Sequence, residues 1–122
     1  MRYLFIVLLT AVSKLAVAQD VVNLCSNNPA RAWWDVQQYD LSLRFDVDNA
    51  SVQGKCIITA KVVQTGIDSL QIDLASPLII DSILIFGKAV SNTKQEDAYF
   101  LKADFAKLSI DTTFDVTVYY HG

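Results

Sequence analysis

Residues 33–48 read WWDVQQYDLSLRFDVD, and apolar and polar residues alternate from Tyr39 to Asp48. The apolar positions of this alternation are Tyr39, Leu41, Leu43, Phe45 and Val47. A period of two places them on one face of a β-strand, because successive strand side chains point to opposite faces. A helix would scatter them, since it turns by about 100° per residue. We therefore predict a strand whose apolar face packs in a core and whose polar face meets water.

Shorter segments of the same kind follow along the chain. The predicted later strands are residues 52–63, 69–74, 78–86, 99–101, 108–110 and 114–120, with a loop over 91–97. The short turn after Asp48 makes the first two strands an antiparallel hairpin. Gly54 indicates a bulge or a close backbone approach, and Asp81 an irregularity in an apolar strand. Six to eight short strands without a convincing helix predict an all-β fold, an antiparallel sandwich or saddle-like sheet. The chain stops at the end of a strand, which predicts an incomplete domain.

The first 18 residues have the pattern of a cleavable signal peptide. Arg2 precedes an apolar run over residues 3–12, and Ala16-Val17-Ala18 supplies the small residues of a cleavage site. The run is shorter than the about 20 apolar residues that span a bilayer. We expect an exported protein, periplasmic, cell-surface or secreted, with no membrane span after cleavage. Residues 19–32, which lack a period and contain Asn27-Asn28-Pro29, are predicted to form an extended arm or turn.

The charge balance excludes one class of partner. Of the 10 Lys and Arg residues, Arg2 and Lys14 lie in the signal segment, which leaves 8 against 13 Asp and Glu, a net charge of −5. Nucleic acid requires a basic face, so we expect no nucleic-acid binding.

Cys25 and Cys56 are the two cysteines of the chain. Export would place them where disulfides persist, and only one pairing exists. Cys56 also shares its strand face with Ile58 and Val62, so a buried free thiol is equally consistent with the pattern. The sequence leaves both alternatives open.

Trp33 and Trp34 precede the first strand and also allow two interpretations. Exposed paired tryptophans could form an aromatic contact surface that stacks on a sugar. Large aromatic residues at a strand start also close the end of a sandwich core.

Catalytic and metal-binding patterns are missing from the sequence. Its one histidine, His121, is next to the last residue, whereas a catalytic zinc site uses three protein ligands. A Ser-His-Asp or Cys-His arrangement would also depend on His121. The four glycines form neither a phosphate loop nor a dinucleotide fingerprint. We predict no catalytic, cofactor-binding or metal-binding residue in residues 1–122.

Five segments in order resemble the start of the zinc aminopeptidases of the aminopeptidase N and leukotriene hydrolase type. They are VQQYDLSL at 36–43, VQGK at 52–55, LQIDL at 70–74, IDSILIFG at 80–87 and VTVYYHG at 116–122. The resemblance implies that residues 33–122 are the first part of an N-terminal β-domain. In that family the domain is completed by later strands and packs on a thermolysin-like catalytic domain, which holds zinc and cleaves N-terminal residues from peptides.

The family's functional residues all lie further along its chains, so none can be assigned to a position here. Whether the natural protein is an enzyme therefore stays open from this sequence. The alternative is a stand-alone exported β-sandwich that binds a protein or a glycan through Trp33, Trp34 or the Tyr119-Tyr120 pair.

Overall fold

The computed structural model describes residues 27–122, so the predicted signal peptide and most of the predicted arm lie outside it. It has one helical turn, α1 (Pro29–Ala32), and a short 3₁₀ helix (Phe105–Lys107). The eight strands are β1 (Trp34–Asp46), β2 (Ser51–Val62), β3 (Ser69–Asp73), β4 (Ile79–Ile85), β5 (Lys88–Val90), β6 (Asn92–Gln95), β7 (Ala98–Lys102) and β8 (Thr113–His121).

The strands form two antiparallel sheets. The larger sheet has the order β1-β2-β8-β4-β5, and the smaller one has the order β3-β7-β6. All neighbouring strands pair antiparallel. The predicted all-β antiparallel fold is therefore confirmed.

The first two strands form the predicted hairpin, with Trp34 opposite Val62 and Asp46 opposite Ser51. The Asp46 carboxylate accepts hydrogen bonds at the turn from the backbone and side-chain nitrogens of Asn49, at 3.2 and 2.8 Å. These bonds lower the pKa of Asp46, because they favour the charged carboxylate. Ala50 takes the left-handed conformation (φ 49°) that closes the turn.

The core is built from the inner face of the larger sheet and from β3 and β7 of the smaller one. Its fully buried side chains include Leu70, Ile83, Ile85, Leu101 and Val116. Aromatic rings pack at one end of this core. Trp33 stacks on Phe114 with ring centroids 5.5 Å apart and contacts Phe105 at 5.0 Å. The Trp33 indole nitrogen donates a 2.8 Å hydrogen bond to the carbonyl oxygen of Ser69, which satisfies its polar atom.

The irregularity predicted at Asp81 is confirmed, whereas Gly54 has neither the predicted bulge nor a close backbone approach and instead lies under a side chain. A Cβ atom at Gly54 would lie 2.1 Å from Cζ of Tyr120, so the glycine permits a close approach by that ring. The register of β4 against β8 shifts between Ile80 and Ser82, around Asp81. The bulge in the first hairpin lies in β1, between Val36 and Gln38, and not at Gly54.

Three local predictions were wrong. Residues 92–95, within the predicted loop, form edge strand β6, since backbone pairing with β7 outweighs their polar composition. Residues 108–110 form no strand and follow the 3₁₀ helix. Residues 29–32 are helical, because the Asn28 side chain accepts a 3.0 Å hydrogen bond from the Ala30 nitrogen and Pro29 occupies the first turn.

The largest difference concerns the apolar face of β1. Its alternation forms a strand as predicted, but the face is not buried in a core formed by residues 27–122. The core joins the small three-stranded sheet to the part of the larger sheet formed by β2, β8 and β4, and the apolar side chains of β1 from Tyr39 to Phe45 remain exposed.

Candidate functional site

The most prominent surface feature is the exposed apolar side of β1, here called the β1 apolar row. It consists of Tyr39, Leu41, Leu43 and Phe45 of β1, with Val47 just beyond the strand. Their exposed fractions range from 44% for Leu43 to 87% for Val47. A contiguous set of large exposed apolar side chains is typical of a surface that contacts another polypeptide.

The β1 strand also offers a backbone edge. Within residues 27–122, β1 pairs on one side with β2 and stands at the end of the five-stranded sheet. A long edge strand presents a row of backbone N–H and C=O groups to which a further strand can pair. The edge and the apolar row together form a surface suited to an added β-layer or strand.

At its far end, the row adjoins the last residue of the chain. Gly122 and Val52 exchange two backbone hydrogen bonds, of 2.6 and 3.0 Å. Gly122 also lines a cavity of about 440 Å³ together with Phe45, Val47 and Leu78. Polypeptide attached at Gly122 would therefore emerge beside Phe45 and Val47.

A polar network joins α1 to β3, near the Tyr39 end of the β1 apolar row. Asn28 donates a 2.6 Å hydrogen bond to Oε1 of the buried Gln71, whose Nε2 donates to Asp73 at 2.7 Å. Arg31 completes the network by pairing with the second oxygen of Asp73. The four side chains anchor α1 on β3. Each of these contacts joins a hydrogen-bond donor to an acceptor.

Beside this network lies a cleft of about 460 Å³ between α1, β1 and β3. Trp34 and Tyr39 supply its aromatic walls, and Asn27, Gln71 and Asp73 supply polar atoms. Its size is within the range of small-molecule pockets. The two tryptophans of the sequence therefore have different positions: Trp34 is partly exposed in this cleft, whereas Trp33 is 1% exposed in the core and offers no surface to a ligand.

Cys56 lies on the inner face of β2, in the same row as Leu41 of β1 and Val118 of β8. It is partly buried and lines a second cavity, of about 160 Å³, with Leu41 and Tyr120. Burial, and secondarily the negative charge of Asp40, raise the pKa of the Cys56 thiol. This thiol is consequently a weak nucleophile at neutral pH. Cys25, its partner in the disulfide alternative, lies outside the described residues.

His121 pairs with Asp81, with 2.5 Å between Nδ1 and Oδ1, on an exposed part of the sheet. Among residues 27–122, no three His, Cys, Asp or Glu side chains come close enough together to hold a metal ion. In the same range, no helix has the length and apolar character needed to span a bilayer.

Sequence reasoning missed the network of Asn28, Arg31, Gln71 and Asp73. The Asn-Pro pair at 28–29 is a recognisable helix start and could have revealed α1. Nothing in the sequence connects α1 to Gln71, because that contact spans 43 positions and depends on how the two sheets pack.

Comparison with solved structures shows what this fold is similar to. The native leukotriene A4 hydrolase of yeast matches with a TM-score of 0.60 and 16% sequence identity, over 74% of this chain. The M1 zinc metallopeptidase of Deinococcus radiodurans matches with a TM-score of 0.63 and 18% identity, over 76% of this chain. A two-domain M1 zinc metallopeptidase, in a variant bound to L-arginine, gives the same values.

The match covers 14% of the yeast structure and 21% of each of the two metallopeptidase structures, so this chain spans about a fifth or less of their length. The similarity lies in the N-terminal part of those proteins. The fold expected from the resemblance to zinc aminopeptidases is therefore confirmed. No protein-family model and no curated protein sequence matches the chain.

Proposed function

We propose that residues 33–122 are the first part of the N-terminal β-domain of an exported zinc metallopeptidase of the M1 type, and that this part is structural and not catalytic. The proposed parent removes N-terminal residues from peptides, as the resemblance implies. Its zinc and its catalytic groups belong to a thermolysin-like domain that lies outside residues 1–122.

The observation that carries this proposal is the structural match. The yeast leukotriene A4 hydrolase and the M1 zinc metallopeptidase of Deinococcus radiodurans contain a similar arrangement of strands, with TM-scores of 0.60 and 0.63, as a small share of much longer chains. The five sequence segments that resemble the same family fall on β1, β2, β3, β4 and β8. Sequence and fold thus support the same parent.

The exposed surface of β1 supports the structural role. An isolated domain loses stability and solubility by leaving a long apolar strand at a sheet edge. In the proposed parent, the rest of the N-terminal domain would follow Gly122, which lies beside Phe45 and Val47. That polypeptide is in position to cover the far end of the β1 apolar row.

The described residues do not fit a zinc site. His121 has one nearby carboxylate, that of Asp81, and no third metal-binding side chain joins them. Any zinc in the parent would have to be held by other residues, and we derive no catalytic step from this part of the chain.

The test is to recover the native protein from the cells that make it, with antibodies raised against residues 27–122, and to measure its mass and location. We expect an exported protein several times heavier than 13.6 kDa. We also expect it to release amino acids from peptide N-termini, to lose this activity with a chelator and to regain it with zinc. A native protein that ends at Gly122, with no associated peptidase activity, would refute the proposal.

The cleft beside α1 favours one second candidate, a stand-alone exported module that binds a glycan. Trp34 and the 64%-exposed Tyr39 are aromatic surfaces of the type that stack on sugars. Under this alternative, Trp34→Ala would abolish retention on a glycan array while leaving thermal unfolding nearly unchanged. Unchanged retention, or no retention of the original chain, would exclude it.

A further inference from the structure

The unpaired backbone groups of β1 belong to its apolar residues. Val52 of β2 exchanges its backbone hydrogen bonds with Gly122, on the β8 side. Because this direction alternates along a strand, the odd-numbered residues of β2 bond to β1 instead. Their partners in β1 are the even-numbered residues of 38–46. The N–H and C=O groups that point to the outer edge of the sheet are therefore those of Tyr39, Leu41, Leu43 and Phe45.

This edge lacks the features that usually protect an edge strand. Residues 38–46 contain no proline and no lysine, and the bulge of β1 comes before them, between Val36 and Gln38. Proline, lysine, bulges and covering segments are the common means of preventing edge pairing. Within residues 27–122, β2 is the only strand that pairs with β1. The edge is therefore suited to accept a further strand.

The charges of β1 favour a second copy of the same strand in that position. Its polar face has Asp40 and Arg44 on either side of Ser42, at equal spacing. If two β1 strands pair antiparallel with Ser42 at the centre, Asp40 faces the partner's Arg44, and Arg44 faces the partner's Asp40. Opposite charges directly across two strands stabilise their pairing. Among the described residues, neither side chain is occupied by another salt bridge.

The apolar face fits the same arrangement. Leu41 then faces the partner's Leu43, and Tyr39 faces the partner's Phe45. Cross-strand pairs of aromatic residues and of apolar residues add to the stability of a sheet. These four residues also carry the outward-pointing backbone groups, so the hydrogen bonds of the new pair form between them.

Neighbouring arrangements lose the charge pairing. Centred on Leu43, the two strands would place Asp40 against the partner's Asp46, which is a repulsive pair. Centred on Leu41, they would place Asp40 against the partner's Ser42, with no charge pair. Centred on Asp40 or on Arg44, each of these charges would face its own copy. Among centres from 40 to 44, Ser42 alone joins the unlike charges.

We propose that two copies of this chain pair antiparallel along β1, with Ser42 of each copy at the two-fold axis, and so join their five-stranded sheets edge to edge. Such an interface is self-complementary, as a two-fold dimer requires. The partner strand lies in the plane of the sheet, whereas polypeptide covering the β1 apolar row lies against its face. The inference therefore goes beyond the proposed function and does not rest on it.

The first test reverses each charge in the full chain and measures dimerisation by sedimentation equilibrium. The original chain should show a concentration-dependent equilibrium between monomer and dimer. Arg44→Asp places Asp against Asp at two positions of the interface, and Asp40→Arg places Arg against Arg. Each variant alone should raise the dissociation constant of the dimer by about tenfold or more.

Mixing the two variants separates a facing charge pair from a loss of folding. In a dimer of one Arg44→Asp chain and one Asp40→Arg chain, every facing pair is again Asp with Arg. The equimolar mixture should therefore dimerise at least as well as the original chain. The control Lys88→Asp changes the net charge as Arg44→Asp does, at an exposed position of β5 on the opposite edge of the sheet, and should leave the dissociation constant unchanged.

The second test is a cross-link that reports the centre of the pair. In the variant Ser42→Cys, the two introduced thiols face each other with Cα atoms about 4.5 Å apart, within the range of a disulfide. The matched control Gln38→Cys lies on the same face, but its two thiols are separated in the dimer by eight positions, about 27 Å. In a glutathione redox buffer, peptide mapping should find position 42 linked to position 42 and no link between the two positions 38. The mapping also distinguishes these links from any through Cys25 or Cys56.

A full chain that stays monomeric at every concentration would overturn the proposal, whether the edge is covered by residues 1–26 or meets water. So would dimers that persist in both charge variants, or a mixture that does not recover dimerisation. Equal cross-linking at positions 38 and 42 would also overturn it.

Discussion

The inner face of the five-stranded sheet has two halves that are alike in sequence and differ in burial. Leu41, Cys56, Val118 and Ile83 lie side by side across β1, β2, β8 and β4. Along this single row, the exposed fraction falls from 55% at Leu41 to 4% at Val118 and 0% at Ile83. Both ends of the row are aliphatic, and only the Ile83 end lies beneath the small sheet. An alternation of apolar and polar residues therefore identifies the apolar face of a strand. Whether other parts of residues 27–122 bury that face depends on the tertiary structure.

The largest expected difference between the two halves is in stability. Trp33→Ala removes a buried indole that stacks on Phe114 and bonds to Ser69, and should lower the free energy of unfolding by about 3–5 kcal/mol. Phe45→Ala removes a ring that is 69% exposed, and should change it by less than about 0.5 kcal/mol. Urea unfolding of both variants measures this difference. Equal losses of unfolding free energy would mean that Phe45 is buried in solution. The two halves of the sheet would then not differ in burial.

A smaller loss is expected where the two halves meet, at Gly54. A methyl group there would overlap the Tyr120 ring, so Gly54→Ala should cost about 1–3 kcal/mol, as overpacking does. Tyr120→Ala in the same chain should remove most of this penalty, since the overlapping atoms belong to that ring. A double-mutant cycle measured by thermal unfolding gives the coupling free energy. Independent, additive effects would show that Tyr120 does not lie over Gly54.

The exposed half should govern association more than stability. Replacing Leu43 and Phe45 together by Lys puts two charges in the β1 apolar row, and should reduce self-association at micromolar concentration. The charge-matched control places Lys at Gln38 and Ser42, on the opposite face of the same strand. Sedimentation velocity measures the self-association of the two double variants. If the control variant reduces self-association equally, then the added net charge causes the effect and the β1 apolar row does not drive association.

The smallest effect concerns Cys56 in the reduced chain. Because burial raises the pKa of this thiol, the folded state holds the proton more tightly than the unfolded state does. Stability should therefore decrease slightly as the pH rises above the unfolded-state pKa of about 8.5. Iodoacetamide should also modify Cys56 more slowly at pH 8 in the folded chain than in urea, which peptide mass spectrometry can follow. Equal rates would show that the thiol is not shielded.

Much of the fold could be predicted because its strands carry local signals. The period of two in β1, the turn after Asp48 and the irregularity at Asp81 all depend on neighbouring residues. The errors came from segments without such signals. Strand β6 forms because its backbone pairs with β7, which its polar composition does not indicate. Residues 108–110 include two apolar residues but lie in the connection between the 3₁₀ helix and β8.

The sequence alone determines that this is an all-β chain and which side chains of β1 share a face, because side-chain direction in a strand follows from backbone geometry. It also carries the segments that resemble the zinc aminopeptidases. The tertiary structure decided that Trp33 is in the core while Trp34 lines a cleft, and that the β1 apolar row lies outside the small sheet. It also placed Cys56 beside a cavity of about 160 Å³ that Leu41 and Tyr120 line as well. These outcomes depend on which strands become neighbours across long separations, and that is set by the packing of one sheet on the other.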